Sequence, residues 1–598
     1  MLTEALTPLS PLLAPAAARR PWPREGDPAW AALPEDRRET LLRWGEEAMA
    51  EGYEPLLASQ HLRFTRDGDR RVFETPYFAR RKALLGALFA ECVRHEARAV
   101  DFIADGLWLL MEETSWVISA HNDSGAPLPD PDAPGLDLFA AQTGATVALC
   151  LHLAGHRLDA VTPLIAARAL RELDRRVWIP FLQRDDFFWM GITRKNLNNW
   201  TPWIVSNVLL TAQYALQDEA RLEAIVRKSC AILDRYLACQ PEDGGCDEGT
   251  AYWNMAGASL LDCLEALREV TGGRLSVYHE PLIQAIARFP LRSHVAGPWF
   301  WNFADCDARP LLDGERLFTF GQRIGDPALS RLGQAIGVSL LPRDTPQASR
   351  VMNALFTPFA PAEAPVPPDW TALPRLQVWA KSCGGLYAVI KGGHNHESHN
   401  HNDIGSLMIY ADGQPVIVDA GNLVYTARTF SAERYTLWNT RSMYHNVPLI
   451  GDHGEQAPGA EHRAAVLSAS EGAVRMDIAA AYGAGCGVSA LIRTLAFYPA
   501  LTLTDEIRLS EPQTVTWVFL TCCPPDIHEE AIHIGPLRLT GTQGLRVHSD
   551  AIPVTDQRLI RNYPALWRLT LTADAAQHHQ RVFRFTLPSE GSESHDPR

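Results

Sequence analysis

The feature that most constrains this chain is a change of period. Up to about residue 357, apolar residues recur every three or four positions, as on one face of a helix. RKALLGALFAECVRHEARAVDFIADGLWLLMEET, LDLFAAQTGATVALCLHLAG and EARLEAIVRKSCAILDRYLACQ are three of about ten such segments. A Pro-rich stretch, FAPAEAPVPPDWTALP, interrupts the pattern, and beyond it the period falls to two in LYAVIKG, SLMIYAD, PVIVDAG, TVTWVFLTC and LWRLTLTAD. Proline disfavours helix in its predecessor and reads here as a linker. With 598 residues, the chain exceeds what one hydrophobic core can hold. We therefore expect a flexible, Pro- and Ala-rich segment at 1–35, a helical domain at 36–357, a linker at 358–374 and an antiparallel β-sandwich at 375–590, before a polar tail, GSESHDPR. Segments apolar on nearly every face, such as NVLLTAQYAL and SLLDCL, read as inner helices of a ring or toroid. The fold class is thus multidomain α + β.

Composition narrows the function classes. Hydrophobic types make up 46%, and a mean hydropathy of -0.13 suits a water-exposed globular chain. The formal net charge of -15 argues against a general nucleic-acid binder. The 11 cysteines are scattered, without a CxxC pair, which favours a reducing compartment. The N-terminus has Glu4 early, no basic start, and prolines at 8, 11 and 15, so it reads as a poor signal peptide. No run of eighteen apolar residues suggests a membrane span. The expectation is a cytoplasmic protein with no membrane or nucleic-acid partner, and a homodimer as default assembly.

Candidate chemistry concentrates just inside the second domain. HNHESHNH, His394 to His401, holds four of the 20 histidines, and Asn402 and Asp403 follow. Two apolar runs joined by Asp412 and Gly413 read as a hairpin that carries Asp419 back toward His401. Imidazole and carboxylate suit zinc or a similar divalent ion, so His401, Asp419 and His445 could form a two-histidine, one-carboxylate site. The alternative is a solvated His-rich loop without metal.

The helical half offers looser candidates. In KNLNNWTPW, Asn196, Asn198, Asn199 and Trp200 precede an apolar helix. Asn199 is either a helix cap or a carboxamide presented to a substrate carboxylate. In EDGGCDEGTAYWNMAG, Tyr252 is either a core aromatic or a cleft tyrosine able to move a proton. Trp116, His121 and Asn122 could form an aromatic and polar substrate wall, and Trp299, Trp301 and Asp305 form a similar group. The 17 tryptophans suit sugar stacking and a large core alike.

These motifs together resemble the heparinase II/III-like polysaccharide lyases, which include the oligoalginate lyases. The likeness rests on HNHND-x-GS, VDAG, YHN, the NNW stretch and DGG-x-x-EG-x-x-YW, in that family's order over nearly the whole chain. It implies an α/α toroid, an incomplete barrel, followed by an antiparallel β-sandwich. It implies β-elimination on uronic-acid-containing glycans, with Asn199 (Asn198 as the alternative) neutralising the carboxylate and His399 and Tyr252 as catalytic residues. His401, Asp419 and His445 match metal ligands, usually of a structural Zn2+. A second site tyrosine would be Tyr435 or Tyr444. Arg428, Arg434 and Arg441 lie between the ligand-bearing segments, as binders of other acidic groups or as ordinary surface charge. The implied partner is an acidic oligosaccharide or polysaccharide. Two rival readings are a hydrolase whose metal activates water and a non-catalytic carbohydrate-binding protein.

Overall fold

The computed structural model describes all residues except 194–196, 339, 341–346, 359, 453 and 589–598, so the polar tail lies outside the described residues. The chain forms two compact units. The first comprises Met1–Gln240, Asn254–Ala287 and Asp313–Glu363; the second comprises Pro241–Trp253, Arg288–Leu312 and Ala364–Arg598. An N-terminal helical region is thus followed by a large antiparallel β-region. Segments 241–253 and 288–312, expected within the helical domain, cluster with the β-region instead. They are short and Gly-, Asp- and Trp-rich, and no periodicity assigns them to either side.

The first unit is built on helices whose starts follow from local chemistry. Asp137 accepts from the amides of Phe139 and Ala140 and caps Leu138–Val161, and Asp326 with Pro327 opens Pro327–Ile336. Leu138–Val161 packs against Trp200–Ala215, and each is buried on nearly every face. Other helices bury one stripe, as Pro163–Leu173 does with Ile165, Ala169 and Leu173. Among the described residues, Leu138–Val161 is also the one helix long and apolar enough to cross a membrane, and its apolar window is 89% buried within the protein. That burial explains its composition.

The first 35 residues are packed, contrary to the flexible segment expected. Leu2, Leu6, Leu12, Trp22 and Trp30 are buried. The amides of Leu2 and Thr3 donate to Asp234 at 2.7 and 2.9 Å, and Trp22 stacks on Tyr214 at 4.7 Å. Proline sets the path here, while isolated large apolar residues supply the anchoring. One anchor is titratable. His152 Nε2 meets the Trp22 carbonyl at 2.8 Å, and burial pushes the imidazole down to about 4.

The sign follows directly. Between about pH 6.5 and 4 the unfolded chain binds a proton at this histidine that the folded chain refuses, so stability falls as pH falls through that window. The loss reaches on the order of 3 kcal/mol. Thermal unfolding at pH 7 and pH 5 should show a smaller acid loss in His152→Gln than in the parent protein.

In the second unit, the described strands other than two small two-stranded pairs join one antiparallel sheet of 15 strands. Its spine is the pairing of Leu501–Thr521 with Leu566–Thr586, from Leu501 opposite Phe585 to Thr521 opposite Trp567. Alternation of buried and open positions along Leu501–Leu509 sends Leu501, Leu503, Ile507 and Leu509 into a core with Val474, Met476, Leu491 and Leu495. The sheet begins earlier than expected, since Trp370–Leu373, inside the expected linker, already pairs with Val378–Cys383. The Asp-Gly hairpin forms as read. Leu407–Ala411 pairs with Gln414–Ile417, and Asp412 and Gly413 both take positive φ, 48° and 76°.

A buried ion pair fastens the loops at one end of this sheet. Arg493 Nε and Nη2 donate to Asp505 at 2.8 and 2.7 Å, and Trp517 Nε1 donates to the same carboxylate at 2.9 Å. The remaining nitrogen, Nη1, donates to the carbonyls of Gly405 and Asn446 at 2.8 and 2.7 Å. Arginine's planar fork suits this shared duty.

Candidate active site

The His-rich loop is held at both ends. Lys391, buried, pairs with Asp403 at 2.8 Å and Glu397 at 3.1 Å. Gln456 donates to the Ile404 carbonyl and accepts from its amide, at 2.7 and 2.9 Å. Within the loop His399 takes φ +56°, a left-handed conformation that costs a non-glycine residue roughly 1–3 kcal/mol. Arg434 holds it there. Its guanidinium donates to the carbonyls of His399 at 2.8 Å, Asn400 at 3.1 Å and Thr429 at 3.2 Å. Arg434 is therefore a buried brace and not the open substrate contact expected, because all its donors turn inward onto the loop's own backbone and Asp305.

Asp305 is the hub of the site. Its carboxylate meets His399 Nδ1 at 2.9 Å, His401 Nε2 at 3.0 Å and Arg434 Nη2 at 2.8 Å. Burial alone would raise this acid, but the hydrogen bonds from both histidines and the charge of Arg434 hold it well below the usual carboxylate range. An ionised Asp305 can only accept, so His399 Nδ1 donates to it.

Tyr252 lies at the start of the short helix Thr250–Trp253, after Gly249. Gly249 has φ +83°, and a Cβ there would lie 2.6 Å from Cys306 Cβ, so only glycine lets the chain enter this turn. The Tyr252 ring lies 4.7 Å from the His399 ring, and its hydroxyl is 2.5 Å from the hydroxyl of Tyr425. Tyr425 in turn stacks at 6.0 Å on His399 and lies under Arg558, 5.3 Å from the ring centroid. Burial, then the neighbouring Tyr425, pushes the Tyr252 phenol well above its ordinary value; burial does the same to Tyr425. Both phenols are therefore protonated at neutral pH. Burial also pushes the Glu248 carboxyl up to about 7.

His401, Asp419 and His445 come together, all fully buried, with one ligand atom from each within 4.8 Å of the others. Asp419 meets His445 Nδ1 at 2.9 Å and accepts from the Gly421 amide at 2.9 Å. His401 Nδ1 and His445 Nε2 have no hydrogen-bond partner in the protein. Each of these rings is thus fixed through one nitrogen by a carboxylate and offers the other, as metal-ligating histidines do. The donor set fits a divalent ion.

The other expected residues divide. Trp116 is a core residue and not a substrate wall; it is 2% exposed, its indole N–H donates to the Leu110 carbonyl at 2.8 Å, and Arg176 lies over its ring. Asn122 closes its own loop through the Ala126 carbonyl. Asn198 caps the following helix by accepting from the Trp200 amide at 3.2 Å. Asn199 stands at the same helix start, and its carboxamide is not used as a cap. Asn196 lies outside the described residues. His121 pairs with Asp137 at 2.7 Å and packs on Trp200 at 4.6 Å, beside a cavity of about 340 Å3 also lined by Arg184, Phe188 and Thr193.

In the second unit, Tyr435 donates to Asn400 Oδ1 at 2.8 Å, and Tyr444 packs on Trp438. Neither is the partner of Tyr252. That partner, Tyr425, is six residues beyond Asp419 and carries no sequence mark of its own. Arg441 pairs with Glu455, and Arg428 is exposed and bonds Thr436.

Comparison with known proteins bears on the fold. Residues 376–576 match the family model described as Heparinase II/III-like, C-terminal. No curated protein matches the chain by sequence. Among solved structures, heparinase III aligns with a TM-score of 0.61 at 12% identity, covering 88% of this chain and 81% of its own. Heparan sulfate lyase HepC from Pedobacter heparinus aligns at 0.54 and 9% identity, covering 92% and 88%. A tyrosine-to-alanine mutant of the Streptomyces coelicolor A3 chondroitin AC lyase aligns at 0.57 and 12% identity, covering 98% and 83%. At such identities these structures speak to the fold. The stretch 376–576 is thus a heparinase II/III-like C-terminal domain, and the chain as a whole shares the fold of these solved structures.

Proposed function

We propose that this protein cleaves uronic-acid-containing glycans by β-elimination. On this reading His399 Nε2 takes the C5 proton, the C4–O4 bond breaks as the C4=C5 double bond forms, and the Tyr252 phenol gives its proton to the departing O4. What supports this most is a single arrangement: a histidine oriented by an ionised Asp305, with its ring 4.7 Å from that of a buried, protonated tyrosine. The C5 proton is weakly acidic beside an ionised carboxylate. We assign the Asn199 carboxamide to offset that charge as the enolate-like intermediate forms. The proton that His399 gains is the one Tyr252 needs back, and on this reading Tyr425, bonded to Tyr252, relays it between turnovers and ends unchanged. The reading also includes helices closed as an incomplete α/α toroid and a sheet folded as a sandwich.

His401, Asp419 and His445 would hold the metal, taken as Zn2+, which when bound braces the loop that carries His399. Burial supports bracing over hydrolysis: all three residues are 0% exposed, whereas a water-activating metal needs an open position. His401→Ala should accordingly lower the metal content of the purified protein, read by elemental analysis, and lower the melting temperature of the β-unit.

The reaction class is tested with a panel of uronic-acid oligosaccharides, following far-ultraviolet absorbance and product mass. Unsaturated products are expected. New reducing ends without that absorbance would replace this reading with the hydrolase, and binding without turnover would replace it with the carbohydrate-binding protein.

A further inference from the structure

A second pocket lies within the helical unit, built from residues the proposed reaction does not use. It is a cavity of about 430 Å3, within the range of small-molecule sites. The loop before helix Ala58–Asp67 contributes Pro55, Leu56 and Leu57, and helix Arg71–Arg94 contributes Phe73 and Arg80. Leu109, Val117 and Leu128 complete the apolar wall. Leu57 and Leu128 stand at 50% and 40% exposure, which is high for leucine.

The polar groups of this pocket are few and incompletely partnered. His61 is 5% exposed and packs edge-on against Phe73 at 4.9 Å; neither ring nitrogen makes a hydrogen bond of ordinary geometry, and the backbone of Pro127 is a polar neighbour of the ring. Leaving such buried groups unmatched is unfavourable, and a ligand that bonds them recovers that cost. Arg80, equally buried, donates to Glu113 Oε1 at 3.1 Å and to the Glu54 carbonyl at 2.7 Å, and its Nε is unpartnered. Glu113 does not need Arg80 for neutralisation, because Arg81 grips both its oxygens, at 3.1 and 2.6 Å. Two guanidinium groups thus serve one buried carboxylate. Glu112, the other acid of the lining, is exposed.

A buried donor-only guanidinium with an unpartnered Nε and an imidazole without a well-formed hydrogen bond, set inside an apolar wall, call for a particular ligand. We propose that this cavity binds a small monocarboxylate with an apolar body, its carboxylate received by Arg80 and His61 and its body packed against Leu57, Phe73, Leu109 and Val117. Charge-assisted bonds of this kind are roughly twice as strong as neutral ones. An uncharged isostere should therefore bind much less tightly.

The test is calorimetric titration of the full chain with benzoate and, separately, benzyl alcohol. Benzoate should bind at least about tenfold more tightly, a difference of about 1.4 kcal/mol. Leu57→Trp fills the exposed mouth without touching the core, and should weaken benzoate binding by at least about tenfold. His61→Phe should do the same while leaving the apolar wall intact. Equal binding of acid and alcohol would overturn the ligand class. Benzoate binding unchanged in Leu57→Trp would overturn the location, and no benzoate binding at its solubility limit would overturn the proposal altogether.

Discussion

Tyr252→Phe is expected to lower turnover by about 10²–10⁴-fold, the usual worth of a positioned acid or base. The substitution removes one oxygen and keeps the ring that packs on His399. Substrate affinity should change little, so the loss falls on kcat and not on KM. Tyr425 cannot take over the duty in place, because its hydroxyl stands 2.5 Å behind the missing one. Tyr425→Phe should cost less, since the acid itself is retained. The measurement is the initial rate of absorbance increase on a uronate oligosaccharide, with binding followed by titration of the inactive variant. A Tyr252→Phe protein within about fivefold of the parent rate would remove the phenol from the mechanism.

The largest stability effect is expected far from that phenol. Asp505→Ala should destabilise the protein by about 3–5 kcal/mol, the usual result of orphaning a buried charge. It strands Arg493, which is 1% exposed, and leaves the Trp517 indole N–H without its acceptor. The same guanidinium ties the Gly405 and Asn446 carbonyls, each next to a metal-site segment: Gly405 follows His401 by four residues, and Asn446 adjoins His445. Metal content should therefore fall along with the urea midpoint of the β-unit. Preserved metal content in a destabilised Asp505→Ala would show that the loops hold their shape without the clamp.

Several parts of this arrangement were legible in the residues alone. The Asp412-Gly413 turn and the alternating runs around it are local patterns, and local sterics decide them. The group around His399 is different. Asp305 reads as one polar residue in a Trp-rich stretch, and Tyr425 as an ordinary loop aromatic; both acquire their roles through partners 94 and 173 residues away. Arg434 misled for a related reason. An arginine between ligand-bearing segments suggests an anion site, yet here it satisfies backbone carbonyls that the left-handed turn at His399 leaves open. Trp116 and the first 35 residues were misread because composition reports what a residue could touch, while packing decides what it does touch.

The way the chain enters its β-unit three times bears on how relatives could be recombined. A gene fragment opening at the proline-rich junction would keep His399, His401, Asp419 and His445, but leave behind both Tyr252 and Asp305. Such a fragment would inherit the His399 imidazole without the Asp305 carboxylate that anchors it and without the Tyr252 ring beside it. A functional graft would have to transplant 241–253 and 288–312 together with everything from 364 onward, so crossover at a single point splits the chemistry it is meant to move.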